Sequence, residues 1–252
     1  MFEPMIVAHR LSNWTALGIK LPKALSNAFD IFEALRYAEV ERPVSFDLAS
    51  VTADNAEQKV REFAEKLMPT RAIDRFSTLA EAKRQALYLA ARDMVAKAGA
   101  AVPEIVKQLT PDFDRAATEF TEAVKLLPDN VTSEALVSAG PAALEAYQAA
   151  RSASAAIAGV DEWLSSLEEI PGLASERLPL LRVLRPATNG QIYRLEQARD
   201  ARVDSAHERL NKVYVEAARL GIEFGINTPR EAVELRNSIH AKAQVVQRAS
   251  TH

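Results

Sequence analysis

The 252-residue chain contains no cysteine. That excludes a disulfide, a thiolate nucleophile and any cysteine-ligated metal, and it is compatible with a reducing compartment. Glycine is scarce, at 8 residues, and aromatic residues make up only 6%. No glycine-rich phosphate-cradling loop is present, nor a Gly-x-Ser-x-Gly, His-Glu-x-x-His or calcium-loop pattern. Histidine occurs only at positions 9, 207, 240 and 252, which leaves few members for a histidine-based triad. His9 lies in an apolar arm where a packing role is expected. Long apolar runs are also missing. Uncharged stretches such as SASAAIAGV (152–160) are too short to span a bilayer. The opening MFEPMIVAHRLSNW puts Glu3 and Pro4 where a secretory signal carries positive charge, so no signal peptide is expected. An excess of positive charge is absent too: the net charge is −3 and the isoelectric point near 5.9. A general nucleic-acid binder is normally basic, so nucleic acid is not the favoured partner. These absences lead to the expectation of a cytoplasmic protein with no membrane partner.

The residues present favour helix. Hydrophobic residues make up 48% and charged residues 26%, enough for a sizeable core. Alanine, the strongest helix former, dominates the apolar set. Helix starts are written at Thr228-Pro229-Arg230-Glu231, where Thr suits the N-cap, Pro the first turn and Glu the reciprocal cap. Thr78-Leu79-Ala80-Glu81 and Asp54-Asn55-Ala56-Glu57 repeat that signal, and Thr110-Pro111-Asp112 and Gly140-Pro141 give weaker ones. Breaks are expected at Pro43, Pro69, Gly99 to Pro103, Pro128, Gly140-Pro141 and Gly225.

Between these signals the apolar residues step by three and four. Examples are Ala56, Val60, Phe63, Leu67 and Phe113, Ala117, Phe120, Val124, Leu127. Two longer sets are Ala146, Ala150, Ala153, Ile157, Val160, Leu164, Leu167 and Val203, Ala206, Leu210, Val213, Ala217, Leu220, Phe224. A mean period of 3.5 keeps one narrow stripe against a partner helix, whereas a strand alternates every second residue. The expected fold is therefore all-α: an elongated bundle of antiparallel helical hairpins with coiled-coil-like, alanine-rich seams. The organisation expected is an N-terminal arm and first helix (1–52), a helical bundle (53–169), a proline-rich linker (170–190) and a C-terminal helical hairpin (191–252). In that hairpin, 191–224 and 229–249 are two antiparallel helices joined at Gly225-Ile226-Asn227. Residues 43–51 are an expected short extended piece, and the first twenty residues an arm that packs on a neighbour. The stretch 142–160, small on most sides, is expected to be packed centrally.

Three constellations bear on chemistry. The first is the acid row Glu196, Asp200, Asp204, Glu208 with His207. Asp204-x-x-His207 half-matches the Glu-x-x-His box of carboxylate-bridged di-metal bundles, but a second box is missing because Asn237 stands three before His240. A hairpin about residue 226 would also leave the two histidines roughly 9 Å apart along the axis, too far to share an ion. Asp204, His207 and Glu208 are thus weak metal candidates, and the favoured reading is a solvated, ion-paired face with Glu208 on Lys212 and Glu196 on Arg199. The second constellation is Glu62-x-x-Glu65 and Glu119-x-x-Glu122, which resemble half of the magnesium boxes of all-α nucleotide pyrophosphatases, though the Glu-x-x-Asp partner is absent. The third is Arg177, Arg182, Arg185, Arg194, Arg199 and Arg202, a cluster suited to phosphate or carboxylate, with Tyr193 able to stack beside it. The favoured reading is that these arginines neutralise the protein's own acidic helices, Glu168 and Glu169 among them.

The functional expectation follows. The chain reads as a non-enzymatic helical structural, assembly or protein-interaction protein that self-associates, in the manner of a phage or bacterial assembly component. Its interaction seam is expected at Ile157, Val160, Leu164, Leu167, Val203, Ala206, Leu210, Val213, Ala217 and Leu220, with no catalytic residue and no cofactor. The alternatives are a metal-dependent all-α hydrolase acting on nucleotides, and a helical nucleic-acid binder using the 177–202 arginines.

Overall fold

A computed structural model describes residues 4–38, 47, 52, 54–67, 72–73 and 76–249. The expected extended piece at 43–51 and the breaks at Pro43 and Pro69 fall outside these residues, apart from Asp47. The chain is mostly helical, as its composition demands. In order, the elements are α1 (Pro4–Leu11), a 3-10 turn (Ser12–Leu17), α2 (Lys23–Tyr37) and α3 (Ala56–Leu67). A minimal strand pair follows, β1 (Ala72–Ile73) and β2 (Phe76–Ser77), then α4 (Thr78–Lys125), α5 (Ser133–Ala139) and α6 (Pro141–Leu167). The last part comprises a 3-10 turn (Pro179–Leu181), β3 (Leu184–Arg185), α7 (Asn189–Asp200), α8 (Ser205–Glu208), α9 (Lys212–Arg219), β4 (Glu223–Phe224) and α10 (Pro229–Ala249). Among the described residues, no helix is long and apolar enough to cross a membrane.

The chain separates into two compact units, Met1–Ser12 with Leu21–Ala98, and Asn13–Lys20 with Gly99–His252. In the first unit, α2 buries Leu25, Ala28, Phe29 and Phe32 at helical spacing, and α1 buries Val7, Ala8 and Leu11. His9 is exposed but sets its ring edge-on to Phe32, with centroids 5.9 Å apart. The ammonium of Lys83 donates to the carbonyl of Ala38 at 2.7 Å and so satisfies the C-terminal end of α2. The stripe on α3 behaves differently from the others: no residue of that helix is buried.

In the second unit the stripes read from the sequence turn inward. Phe113, Ala117, Phe120 and Val124 on α4 and Leu127 just beyond its end are buried, as are Ala146, Ala150, Ala153, Ile157, Val160, Leu164 and Leu167 on α6. The expectation that 142–160 is packed centrally is met on one face alone, because Ala149, Ala155, Ala156 and Ala158 are exposed. Alanine serves there as a surface helix former. Three rings, Phe120, Tyr214 and Phe224, meet edge to face with centroids 5.8 to 6.3 Å apart. Part of the opening segment packs within the second unit. Trp14 is buried against Trp163 at 5.7 Å and donates from its indole nitrogen to the Ser166 hydroxyl at 2.9 Å.

One expected break, at Gly99 to Pro103, and one expected helix start, at Thr110-Pro111, prove to be continuous helix. α4 passes uninterrupted through Gly99, Pro103, Thr110 and Pro111. A proline inside a helix forfeits one backbone hydrogen bond and costs about 3 kcal/mol. Here the surrounding turns bury Val102, Ile105, Leu109 and Phe113, and that burial offsets the loss. The Thr110 hydroxyl donates back to the Val106 carbonyl at 2.8 Å instead of capping a new helix.

The expected 191–224 helix is also corrected. α7 ends at Asp200, Asp204 opens α8 by accepting from the Ala206 amide at 2.8 Å, and Asn211 opens α9 by accepting from Val213 at 3.1 Å. Asn211 has φ +59°, a left-handed turn that Asn tolerates, and Gly221 closes α9 at φ +63°. Residues 223–224 then pair antiparallel with β3, Leu184 opposite Phe224 and Arg185 opposite Glu223. The 170–190 stretch, expected as a linker, lies inside the second unit and carries a 3-10 turn and β3.

α10 begins where the capping box places it. The Thr228 amide donates to Glu231 at 2.8 Å, and the Glu231 amide to the Thr228 hydroxyl at 3.4 Å. Replacing Thr228 with Ala is expected to cost about 1 kcal/mol. In thermal unfolding followed by circular dichroism this lowers the midpoint by roughly 2–4 °C.

Candidate functional site in the arginine-rich segment

Helix α6 carries a second pattern beside its apolar stripe. Tyr147, Ser154, Asp161 and Glu168 recur every seven residues and flank Ala146, Ala153, Val160 and Leu167. Seven residues are two helical turns, so the four polar groups line one edge of the helix. Each binds the C-terminal segment. The Tyr147 hydroxyl donates to the Ala206 carbonyl at 3.1 Å, and the buried Ser154 hydroxyl donates to the Leu210 carbonyl at 2.8 Å. Asp161 accepts from Arg182 Nε at 2.6 Å and from the Tyr214 hydroxyl at 3.1 Å. Glu168 accepts from Arg182 Nη1 at 3.3 Å.

This ion cluster is shielded from water, with side-chain exposures of 15% for Arg182, 21% for Asp161 and 6% for Glu168. Burial pulls the Arg182 guanidinium toward the neutral form, but the hydrogen bonds and charges of Asp161 and Glu168 more than reverse this and raise its pKa. Burial, followed by the negative charge of Asp161, pushes the Tyr214 phenol well above its ordinary range and keeps it a hydrogen-bond donor.

The other arginines of the cluster part company. Arg185 donates from Nε to Asn227 Oδ1 at 2.9 Å, from Nη1 to Glu223 at 2.8 Å and from Nη2 to the Ile226 carbonyl at 3.2 Å. Asn227 is buried and donates its amide to the carbonyls of Leu181 (2.7 Å) and Leu184 (3.3 Å). A Cβ at position 225 would lie 2.4 Å from Arg185 Cζ, so a larger residue than Gly225 would displace this guanidinium. Arg194 joins α7 to α9 through Glu216 at 2.8 Å, and Arg199 pairs with Asp200 at 3.3 Å. Arg177 and Arg202 are exposed, and among the described residues no carboxylate lies within 4 Å of either guanidinium. Tyr193 is exposed on α7.

The acid row is dispersed by the same helix breaks. Glu196 and Asp200 lie on α7, Asp204 is consumed as the α8 cap, and Glu208 sits 3.4 Å from Lys212 as expected. The expected Glu196–Arg199 pair is replaced by Arg199–Asp200. His240 is exposed on α10. Glu62 pairs with Lys59 and Glu122 with Lys125, each within one helix turn. The hydrogen bonds and charge of Lys59, with Gln58 beside it, hold the Glu62 carboxyl below its ordinary range. Among the described residues, no group of three or more His, Asp or Glu side chains is placed to hold a metal ion.

The expected interaction residues also scatter. Ile157, Val160, Leu164 and Leu167 are covered by this chain on α6. Ala206, Leu210, Val213 and Ala217 are buried across α8, the following turn and α9, while Val203 and Leu220 are half-buried. The residues that organise the region, Asp161, Glu168, Tyr214 and Asn227, were not singled out from sequence as a site. The seven-residue recurrence of polar groups beside an alanine stripe is the signal that marks the first two. No family model, curated protein or solved structure matches this chain.

Removing one member of a buried ion cluster leaves charge without a partner. Arg182→Ala is therefore expected to destabilise the chain by about 3–5 kcal/mol. Urea unfolding of Arg182→Ala against Arg182→Ala with Asp161→Asn and Glu168→Gln checks this, since neutralising both acids should recover part of the loss. A second expectation concerns His207, whose Nε2 is buried and has no hydrogen-bond partner. Burial, and then Arg219, lower its pKa from the ordinary 6.5, against the opposing pull of Glu208 and Glu216. The folded state then binds fewer protons than the unfolded state just below pH 6.5, so stability falls as the pH drops through that window. Unfolding curves across that range for His207→Gln should show a smaller slope than those of the native chain.

Proposed function

We propose that this chain is a non-enzymatic interaction protein that assembles with further copies of itself. The observation carrying this reading is α3. It has a three-four apolar stripe, yet none of its residues is buried, and Val60 is 58% exposed. Other large apolar side chains of the first unit stand in solvent as well: Ile6, Ile31, Tyr37, Tyr88 and Leu89. Exposed apolar surface marks interaction sites in soluble proteins where such side chains adjoin. The partner assigned is a second copy because α3 balances its own charge. Three acids (Glu57, Glu62, Glu65) accompany three bases (Lys59, Arg61, Lys66), with Glu57–Arg61 and Lys59–Glu62 paired along the helix. Such a face has no net pull toward an acidic or a basic partner and meets its own kind without net repulsion. The role fits an assembly component rather than a catalyst.

Light scattering tests the reading. The native chain is expected to grow from monomer to a defined oligomer between roughly 1 and 100 μM, and Val60→Glu with Leu89→Glu to shift that transition upward by at least about tenfold. A native chain that stays monomeric over the whole range overturns it.

A further inference from the structure

The geometry points to a phosphate-binding hollow at the break between α7 and α9, formed by Arg202, Arg209, Lys212 and Ser205. The hollow measures about 760 Å3, opens to solvent and is lined by Asp200, Ala201, Arg202, Val203, Ser205, Glu208, Arg209 and Lys212. Its charge is settled by the ion pairs around it. Asp200 is held by Arg199, and Glu208 by Lys212, whose ammonium also donates to the Ala201 carbonyl at 2.8 Å. Asp204 nearby is turned to the Ala206 amide as a helix cap. Both carboxylates that line the hollow are thus already paired with cations. Arg202 and Arg209 are exposed, and among the described residues neither guanidinium has a carboxylate within 4 Å.

Two unpaired guanidinium groups on one concave surface make a site for a tetrahedral dianion, because each planar fork can give two parallel hydrogen bonds to phosphate oxygens. The Ser205 hydroxyl and the Lys212 ammonium add donors on the same lining. The helix break itself creates the site. A continuous helix would place positions 202 and 209 two turns apart along one rod, about 10 Å from each other. With α7 ended at Asp200 and α8 begun at Ser205, both line one hollow. The ligand class is a phosphate group, either free or as a monoester, and the inference stands apart from self-association through α3.

The test is a heteronuclear NMR titration of the full-length, 15N-labelled chain with sodium phosphate and, separately, with phenyl phosphate, against sodium chloride at matched ionic strength. Saturable shifts of the Arg202 and Arg209 side-chain Nε–Hε signals are expected, with half-saturation on the order of millimolar. Arg202→Ala and Arg209→Ala should each weaken binding about tenfold, Arg202→Lys less, and Arg230→Ala on α10 not at all. Saturation by both compounds supports a free phosphate ligand, and saturation by phenyl phosphate alone supports a monoester. Shifts equal to those with chloride, or binding that survives both alanine variants with the fold intact by circular dichroism, overturn the site.

Discussion

The second unit depends on one buried cation held by two carboxylates of the same helix. A guanidinium shielded from water costs several kcal/mol unless its charge and its donors are met. Asp161 and Glu168 meet them because they stand two turns apart, one on α6 and the other at its C-cap. Once Arg182 is fixed there, the chain after it has little freedom. The Arg182 carbonyl receives the Asn227 amide at 2.9 Å, and the Val183 carbonyl receives the Gly225 amide at 3.0 Å, which sets the register of β3 with β4. Asn227 fastens the turn before α10, and Tyr214, on the other oxygen of Asp161, draws in α9. Helix α6 therefore acts as a rail: its alanine-lined stripe supplies burial and its polar edge supplies position.

This division of labour explains why a helix so rich in alanine can organise its surroundings. Each buried alanine removes little apolar area from water, so burial alone discriminates weakly between neighbouring registers. Directed hydrogen bonds at Tyr147, Ser154, Asp161 and Glu168 discriminate strongly, because a mismatched register strands buried polar groups. In α4 burial takes precedence instead. Leu109 and Phe113 bracket Thr110-Pro111, and the helix persists through a residue type that ordinarily ends one.

The arginine segment illustrates how folding rewrites a charge pattern. Six arginines within twenty-six residues look like a single basic patch in the linear chain. In the fold, Arg182, Arg185, Arg194 and Arg199 are taken up by carboxylates of this same chain, much as its slight overall acidity requires. Among the described residues, Arg177 and Arg202 of the cluster are left without a carboxylate, as is Arg209, which stands outside the linear cluster. The first unit presents the opposite case, a helix whose charges cancel within itself and whose apolar stripe holds no buried residue.

The sequence by itself determined helical content, the inward stripes of α4 and α6, the break at Gly140-Pro141 and the reciprocal cap that starts α10. These are local properties, set by propensity, period and hydrogen bonds within a turn or two. The breaks that Asp204 and Asn211 cap were not read from sequence, because a three-four apolar pattern runs across them and does not distinguish one long helix from short ones in succession. Tertiary structure alone decided that Pro103 and Pro111 stay within a helix, that Phe224 joins a strand rather than a helix end, and which acid each arginine meets. Apart from Arg199, which meets its neighbour Asp200, those outcomes depend on groups well separated along the chain, where burial and charge pairing outweigh local preference.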